Sequence, residues 1–424
     1  MSLPVSASGT DTPTSQPQRV RPSFVVIYVL ALFGIWMSIN LPASVTLALR
    51  IGELDPEGKA TSYSMAAGIG TLTALLANPL FGRLSDRTRS RFGRRRPWIV
   101  VGISGTIAGA VAIGVSDSMP LLLIGWIIMQ AFVNAAIASS LAIVADRIPE
   151  KQQGLIGALS GMASSAAMLV GVFFVQWFPS NTLAQFGLPV AVAVVFCSIL
   201  LAMMRDDTPA VGDIAPFSLK EFLGSFYVSP HKSPDFSRFL VAMFLTTCSW
   251  GVVSTYTVYL LQDRIAVPAE ALPGVITLAY VIPGILAVIF APVAGWLNDR
   301  TGRRKVVLGS TALIMATGTL VIIFADGLVP FLIGISIVSG VAGGMLYGGY
   351  IGFAVATMND PNTAARDLGV TNIAFTLPFS VMPFIAPMLL GVGGGDANYA
   401  ALLTVGAALT LLGIIPLFFI RSTR

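Results

Sequence analysis

The stretches GRLSDRTRSRFGRRRP (82–97) and GWLNDRTGRRK (295–305) decide how this chain folds. Both run G-x-L-x-D-R and then close on a glycine and a basic cluster. The first copy has Gly82, Leu84, Asp86 and Arg87 before Gly93, Arg94, Arg95 and Arg96; the second has Gly295, Leu297, Asp299 and Arg300 before Gly302, Arg303, Arg304 and Lys305. The core positions lie 213 residues apart in a chain of 424, so the pattern recurs at half-length. A pattern repeated at that offset, each time between long apolar runs, predicts two duplicated units.

Outward from these two points the chain is apolar. It is 55% hydrophobic and 11% charged, where an ordinary soluble domain carries about 25% charged residues. Runs long enough to cross a bilayer recur along its length and predict an all-α integral membrane protein. Set against Pro, Gly and charge, they predict twelve helices, at about 24–49, 60–82, 97–115, 120–145, 154–178, 184–204, 238–261, 273–296, 306–325, 329–357, 369–390 and 398–420. The expected organisation is a disordered tail over 1–21, a six-helix bundle over 22–204, a linker over 205–237 and a second, pseudo-symmetric bundle over 238–424. The tail lacks the apolar core of a signal peptide. The linker reads as polar chain with at most a short amphipathic helix around LKEFLGSF (219–226).

An even helix count puts both termini on one side, and the basic residues say which. Arg50, Lys59 and Arg264 fall on the opposite side; the other 22 of the 25 lysines and arginines fall on the side of the termini. By the positive-inside rule both termini are expected in the cytoplasm, in a multi-pass protein of the cytoplasmic membrane. The same distribution excludes nucleic acid as the partner of a chain with pI near 9.4, because the cations orient helices rather than form a patch. Cys197 and Cys248 lie in apolar segments, and no spacing suggests a disulfide framework or a metal site; no cofactor is expected. The one histidine, His231, lies in the linker and is assigned no role.

In the repeated motif, Gly82 and Gly295 are expected to let a neighbouring helix approach closely. Asp86 and Asp299 sit among arginines and can pair with them or cap a helix N-terminus. Such pairs can latch one half against the other when the cytoplasmic side is shut. For the outer arginines, Arg89, Arg91 and Arg94 to Arg96, simple positive-inside placement is an equal alternative. It does not account for an aspartate placed twice. The expected gating set is Gly82, Asp86, Arg87, Arg94, Asp146, Gly295, Asp299, Arg300 and Arg303.

Twice repeated, in the second-to-third and eighth-to-ninth connectors of a twelve-helix chain, this motif resembles the signature of the major facilitator superfamily. The resemblance covers the chain from about residue 22 onward. The long first copy, ADRIPEKQQGLIGALSG (145–161) and ARDLGVTNIAFTLP (365–378) are similar to the sucrose-proton symporters and the related glycoside-pentoside-hexuronide transporters. One departure stands out. Where plant members of that branch carry an acid and an arginine on the fourth helix, the register of GWIIMQAFVNAAIASSLAIVAD (125–146) places Gln130 and Leu141. No Asp, Glu, Lys, Arg or His lies in the central part of any expected helix, and such residues are usually functional where they occur. Facilitated diffusion, coupling of a proton through Asp146 or Asp117, and sodium held by neutral oxygens all stay open.

The resemblance implies a central cavity lined by helices one, four, seven and ten. Mid-helix polar residues then become candidates for binding solute. Trp36, Asn40 and Ser44 share a face of helix one, as do Gln130 and Asn134 on helix four. Trp250, Ser254 and Thr257 stripe helix seven beside Tyr256, while Tyr347 lies on helix ten and Asn372 with Thr376 on helix eleven. Amides beside aromatic faces suit a neutral, polyhydroxylated solute, and no cation is present to hold an anion. The structural alternative is hydrogen bonding between helices. Gly157, Ser160, Gly161, Ser164 and Ser165 on helix five read as close packing, and Pro42, Pro283, Pro378 and Pro383 as kinks. An enzyme is not expected, since no buried nucleophile, metal cluster or acid–base pair is legible. The expected function is carriage of a sugar or glycoside by alternating access. Export of drugs or metabolites is the rival, weakened by the absence of a proline on helix five and an arginine on helix four.

Overall fold

The computed structural model describes residues 20–204, 230–231, 233–358, 364–394 and 397–421. Residues 1–19 of the expected tail, most of the linker and its expected short helix lie outside them.

Twelve helices long and apolar enough to cross a membrane follow one another among the described residues: α1 (Pro22–Leu54), α2 (Lys59–Arg87), α3 (Arg96–Gly114), α4 (Met119–Arg147), α5 (Leu155–Trp177), α6 (Thr182–Met203), α7 (Pro234–Arg264), α8 (Leu272–Thr301), α9 (Arg304–Ile323), α10 (Leu328–Thr357), α11 (Arg366–Leu390) and α12 (Tyr399–Phe418). Their packing repeats between the halves. In the first, α1 lies against α5 and α6, and α4 against α2 and α3; in the second, α7 lies against α11 and α12, and α10 against α8 and α9. The halves join through α2 with α11 and α5 with α8, again a matched pair.

Several helices run a turn or more past their apolar segments. The Gly/Asp/Arg core expected in connectors therefore occupies the last turns of α2 and α8. Basic side chains at a helix C-terminus meet the negative end of the dipole, which extends the helix beyond the apolar run. The second glycine of each motif makes the turn that follows. Gly93 and Gly302 both have positive φ, 89° and 64°, a conformation that a side chain disfavours.

Prolines shape the spans. In α1, Pro42 opens a π-helical turn, Pro42–Thr46, because proline supplies no backbone N–H for the preceding turn. A second π turn, Leu260–Arg264, ends α7, and a third, Ser336–Ala342, lies in α10. In α11, helix stops at Thr376 and resumes at Pro378.

Close packing falls on glycines other than those the sequence singles out. On α3, a Cβ at Gly102 would lie 2.7 Å from Ala136 N, and one at Gly109 would lie 2.6 Å from Met129 N, so α3 and α4 touch backbone to backbone. Gly157 and Gly161 of α5, expected to pack closely, have nothing within 4 Å among the described residues. Nor do Gly82 and Gly295 make tight contacts in this conformation: a Cβ there would lie 3.9 Å from Ala138 Cβ and 3.5 Å from Gly348 O. Those are ordinary contact distances.

Candidate functional site

At the end that carries both termini, Arg95 organises a cluster of charge. It is 4% exposed. Nε donates to Asp146 Oδ2 at 2.7 Å, Nη1 to Ser85 Oγ at 2.9 Å, and Nη2 pairs with Asp86 Oδ1 at 2.6 Å. Arg94 pairs with the other oxygen of Asp146. Burial alone would lower the Arg95 pKa, but the hydrogen bonds and charges of Asp146, then Asp86, outweigh it and hold the pKa above the ordinary arginine value. Thus Asp86, Arg94 and Asp146 are brought together, around an arginine outside the expected gating set. The cluster joins α2, the turn before α3, and α4, all in one half, so these pairs do not span the two halves here. Arg87 sits at the end of the same helix.

The second copy of the motif is arranged differently. Asp299, Arg300 and Arg303 are exposed, and Arg300 lies over the Trp296 ring at 5.1 Å. Among the described residues no ion pair forms on Asp299. Leu308 and Thr311 line a hollow of about 10 Å³ with Asn298 and Arg304.

The polar candidates separate into two classes. Thr257 and Thr376 bond back to the Val253 and Asn372 carbonyls of their own helices, Ser44 accepts from Tyr280 through its carbonyl, and three more are engaged. Asn40 Nδ2 donates to Ser164 Oγ at 3.1 Å and to the Ser164 carbonyl at 3.3 Å, tying α1 to α5. Asn134 Nδ2 donates to the Gln130 carbonyl at 2.9 Å, and Asn134 Oδ1 accepts from Asn78 Nδ2 at 3.2 Å, tying α4 to α2. The Tyr256 hydroxyl contacts Ser64 Oγ of α2 in a fully buried place. Asn40→Ala should accordingly lower stability by roughly 1 kcal/mol while leaving solute binding intact, as read by thermal unfolding and a binding titration on the same protein.

The remaining six have side chains that make no hydrogen bond among the described residues: Trp36, Gln130, Trp250, Ser254, Tyr347 and Asn372. Trp250 anchors a group of rings. It meets Tyr347 edge-on at 5.5 Å, and Phe375 and Phe379 at 5.8 Å each. Tyr350 stacks on Phe375 at 5.3 Å. Tyr347 remains 53% exposed despite these neighbours. Ser254 follows Trp250 by one helical turn on α7, and Asn372 precedes Phe375 on α11. On the other half, Gln130 packs near Gly70 of α2, where a Cβ would lie 3.1 Å from its Nε2. The next residue, Thr71, donates to the Phe379 carbonyl at 3.4 Å. Helix α2 therefore links the neighbourhood of the amide to that of the rings. Trp36 is half-buried on α1 and shares no ring contact with them. A shallow apolar groove of about 280 Å³ between α8 and α10, lined by Ile282, Leu286, Leu332, Ile333, Ile337 and Val341, is separate from these residues.

Sequence reasoning misses Phe375, Phe379 and Tyr350, because an apolar ring in an apolar span carries no mark of function. It also misses Arg95 as the centre of the charged cluster and Asp367, 3% exposed and paired with Arg366 at 2.8 Å. A signal does exist at the end remote from the termini. Five of the nine tyrosines, Tyr63, Tyr256, Tyr259, Tyr280 and Tyr399, lie near that end of their helices.

Comparison with known proteins agrees with this architecture. The family model described as Major Facilitator Superfamily matches residues 24–279 and 239–424. A multidrug resistance protein, MdtG of Proteus mirabilis, is 25% identical over 68% of this chain and 70% of its own length. The putative transporter YdfJ of Escherichia coli is 24% identical over 64% of this chain and 66% of its own. Among solved structures, a mutant form of the nucleoside transporter NupG superposes with a TM-score of 0.75 at 12% identity, covering 94% of this chain and 99% of that one. A D-xylose-proton symporter superposes at 0.69 with 15% identity, covering 93% and 97%. At those identities the likeness is one of fold.

Proposed function

The chain belongs to the Major Facilitator Superfamily, and on that premise we propose that it carries a small neutral solute, a sugar or glycoside, across the cytoplasmic membrane by alternating access. Both termini lie in the cytoplasm in this reading, on the strength of the lysine and arginine distribution. One observation carries the choice of solute. The candidate polar groups left without protein partners among the described residues, in Gln130, Asn372, Ser254, Tyr347, Trp36 and Trp250, are all neutral. Amides and hydroxyls both donate to and accept from solute hydroxyls, and the rings around Trp250 cover a C–H face. A carboxylate or phosphate would find no counter-charge there. The resemblance of the long first motif to the sucrose-symporter branch supports the same class. No Asp, Glu, Lys, Arg or His side chain stands at mid-span among the described residues, so no proton carrier is assigned in this lining.

Purified protein in liposomes should equilibrate a labelled disaccharide. Gln130→Ala should slow initial uptake by roughly tenfold, the upper end of one lost hydrogen bond, with folding unchanged. Export of a planar apolar drug is the second reading, favoured by the five-ring cluster and by the likeness to the multidrug resistance protein of Proteus mirabilis. Liposomes that ignore disaccharide but move an aromatic dye, with movement lost in Tyr347→Ala, would replace the first reading by the second.

A further inference from the structure

We propose that Thr410 of α12 is a positioning residue for the solute: it holds the α7 backbone at Trp250 and thereby sets how tightly the ring cluster binds. This rests on the reading of that cluster as the solute site. Ser249 N donates to Thr410 Oγ1 at 3.1 Å, and the Thr410 hydroxyl in turn donates towards the carbonyls of Thr246, at 3.2 Å, and Leu245, at 3.4 Å. In a regular α-helix the Ser249 amide closes on Leu245 and the Trp250 amide on Thr246. One side-chain hydroxyl therefore enters the two rungs that fix Trp250, from a residue 161 positions further along the chain. A side chain set into the i to i−4 ladder is among the few things that turn a helix at a chosen place. Here that place is the residue that anchors the rings.

Close approach makes the insertion possible. Gly406 and Gly413 stand one turn to either side of Thr410. A Cβ at Gly406 would lie 3.4 Å from Ser249 Cα, and one at Gly413 would lie 3.0 Å from Thr246 N. Side chains there would hold α12 off, and the hydroxyl would fall short. Thr410 is fully buried, and the nearby hydroxyls of Thr246 and Ser249 are buried without a hydrogen-bond partner, so neither substitutes for it. The indole is seated from the other side. A Cβ at Gly343 of α10 would lie 3.3 Å from Trp250 Cζ2, and one at Gly251 would lie 3.2 Å from Pro378 O, at the break in α11. Held by α12 through its backbone and by α10 and α11 around its ring, Trp250 cannot shift without moving against Tyr347, Phe375 and Phe379. The other half lacks the device. At the 213-residue offset of the motif, Thr410 matches Cys197 of α6 and Trp250 matches Met37 of α1. A thiol is a weak donor and a weak acceptor. The bond thus belongs to the ring cluster and not to the duplicated architecture.

Fluorine NMR of protein labelled with fluorotryptophan, in lipid nanodiscs, reads the indole directly. The chain has six tryptophans, and the resonance lost in Trp250→Phe is that of Trp250. Thr410→Val keeps the shape and removes the hydroxyl; it should shift the Trp250 resonance and leave the other five in place, and Thr410→Ser should return it to the parent position. Should Thr410→Val not accumulate, Thr410→Cys, the residue at the matching place of α6, makes the same comparison, with a smaller shift of the same sign. In liposomes, Thr410→Val should raise KM for labelled sucrose by roughly twofold to tenfold, the range of one lost hydrogen bond, with the maximal rate unchanged, as for a loss of binding alone. A parent-like Trp250 resonance in the Val and Cys variants would overturn the assignment. So would a shift of all six resonances, which marks general packing, or a shifted Trp250 resonance with the parent KM. A parent that ignores sucrose and moves the aromatic dye gives the same KM comparison with the dye. If it moves neither, the solute reading fails, and the resonance still decides whether Thr410 positions Trp250.

Discussion

Arg95→Ala should melt earlier than the parent, at a cost of about 3 kcal/mol in the N-terminal half, the lower end of what removal of one partner from a buried ion cluster brings. The cost comes from stranded partners. Arg95 is 4% exposed and holds Asp146, Asp86 and Ser85 through three separate nitrogens. Without it, Asp146 keeps only Arg94 among the ion pairs of this cluster. Asp86 has a side chain 56% exposed and is hydrated, which holds the cost below the upper figure. Arg95→Lys should recover only part of the loss, because an ammonium cannot reach three partners held at the edges of a planar fork. Asp86→Asn should cost far less than either. These three variants, melted in one detergent with a thermal-shift dye, check the ranking. If Arg95→Ala melts with the parent, the cluster is a solvated charge patch that serves orientation alone.

The second large effect is steric. Gly344, Gly348 and Gly352 follow one another at every fourth residue of α10 and look alike in sequence. In the fold they are unlike. A Cβ at Gly348 would lie 1.9 Å from Ala291 O and 2.8 Å from Ala291 C; one at Gly344 would lie 2.7 Å from Ala287 Cα and from its oxygen. A Cβ at Gly352 meets nothing within 4 Å among the described residues. Backbone cannot swing aside as a side chain can, so α8 and α10 must part. Gly348→Ala should cost about 3 kcal/mol, the upper end of ordinary overpacking, and Gly348→Leu should fail to accumulate as monodisperse protein. Gly352→Ala should elute and melt as the parent does. Size-exclusion profiles of the three decide it, and a monodisperse Gly348→Leu protein would show that the two helices are free to move apart.

Much of the fold is legible along the chain. A bilayer imposes the same length and apolarity on each span, so the twelve helices can be read from local composition. Their ends are less legible, because the dipole and the long basic side chains carry α2 and α8 past their apolar runs. The candidate solute residues are legible as a class and not as a set. Asn40 and Gln130 are both amides at mid-helix, yet Asn40 is bonded to Ser164 and the Gln130 side chain has no partner among the described residues. Nothing in the spacing of helix one predicts that Ser164 of α5 would stand opposite. The tyrosines remote from the termini are hidden in the same way: each is an ordinary aromatic residue near a helix end, and only the approach of α1 and α2 to α7 and α8 lets Tyr256, Tyr259 and Tyr280 bond across the halves.

Hydropathy, charge placement and an internal repeat are properties of neighbouring residues or of the chain compared with itself, and they determined the helix count, the all-α membrane class and the duplication. Hydrogen bonding and steric contact between helices depend on residues far apart in sequence. Tertiary packing alone therefore decided that Asp86 and Asp146 pair through Arg95 within one half, that Gly348 and not Gly352 carries the contact with α8, and which of the candidate polar side chains keep no protein partner among the described residues.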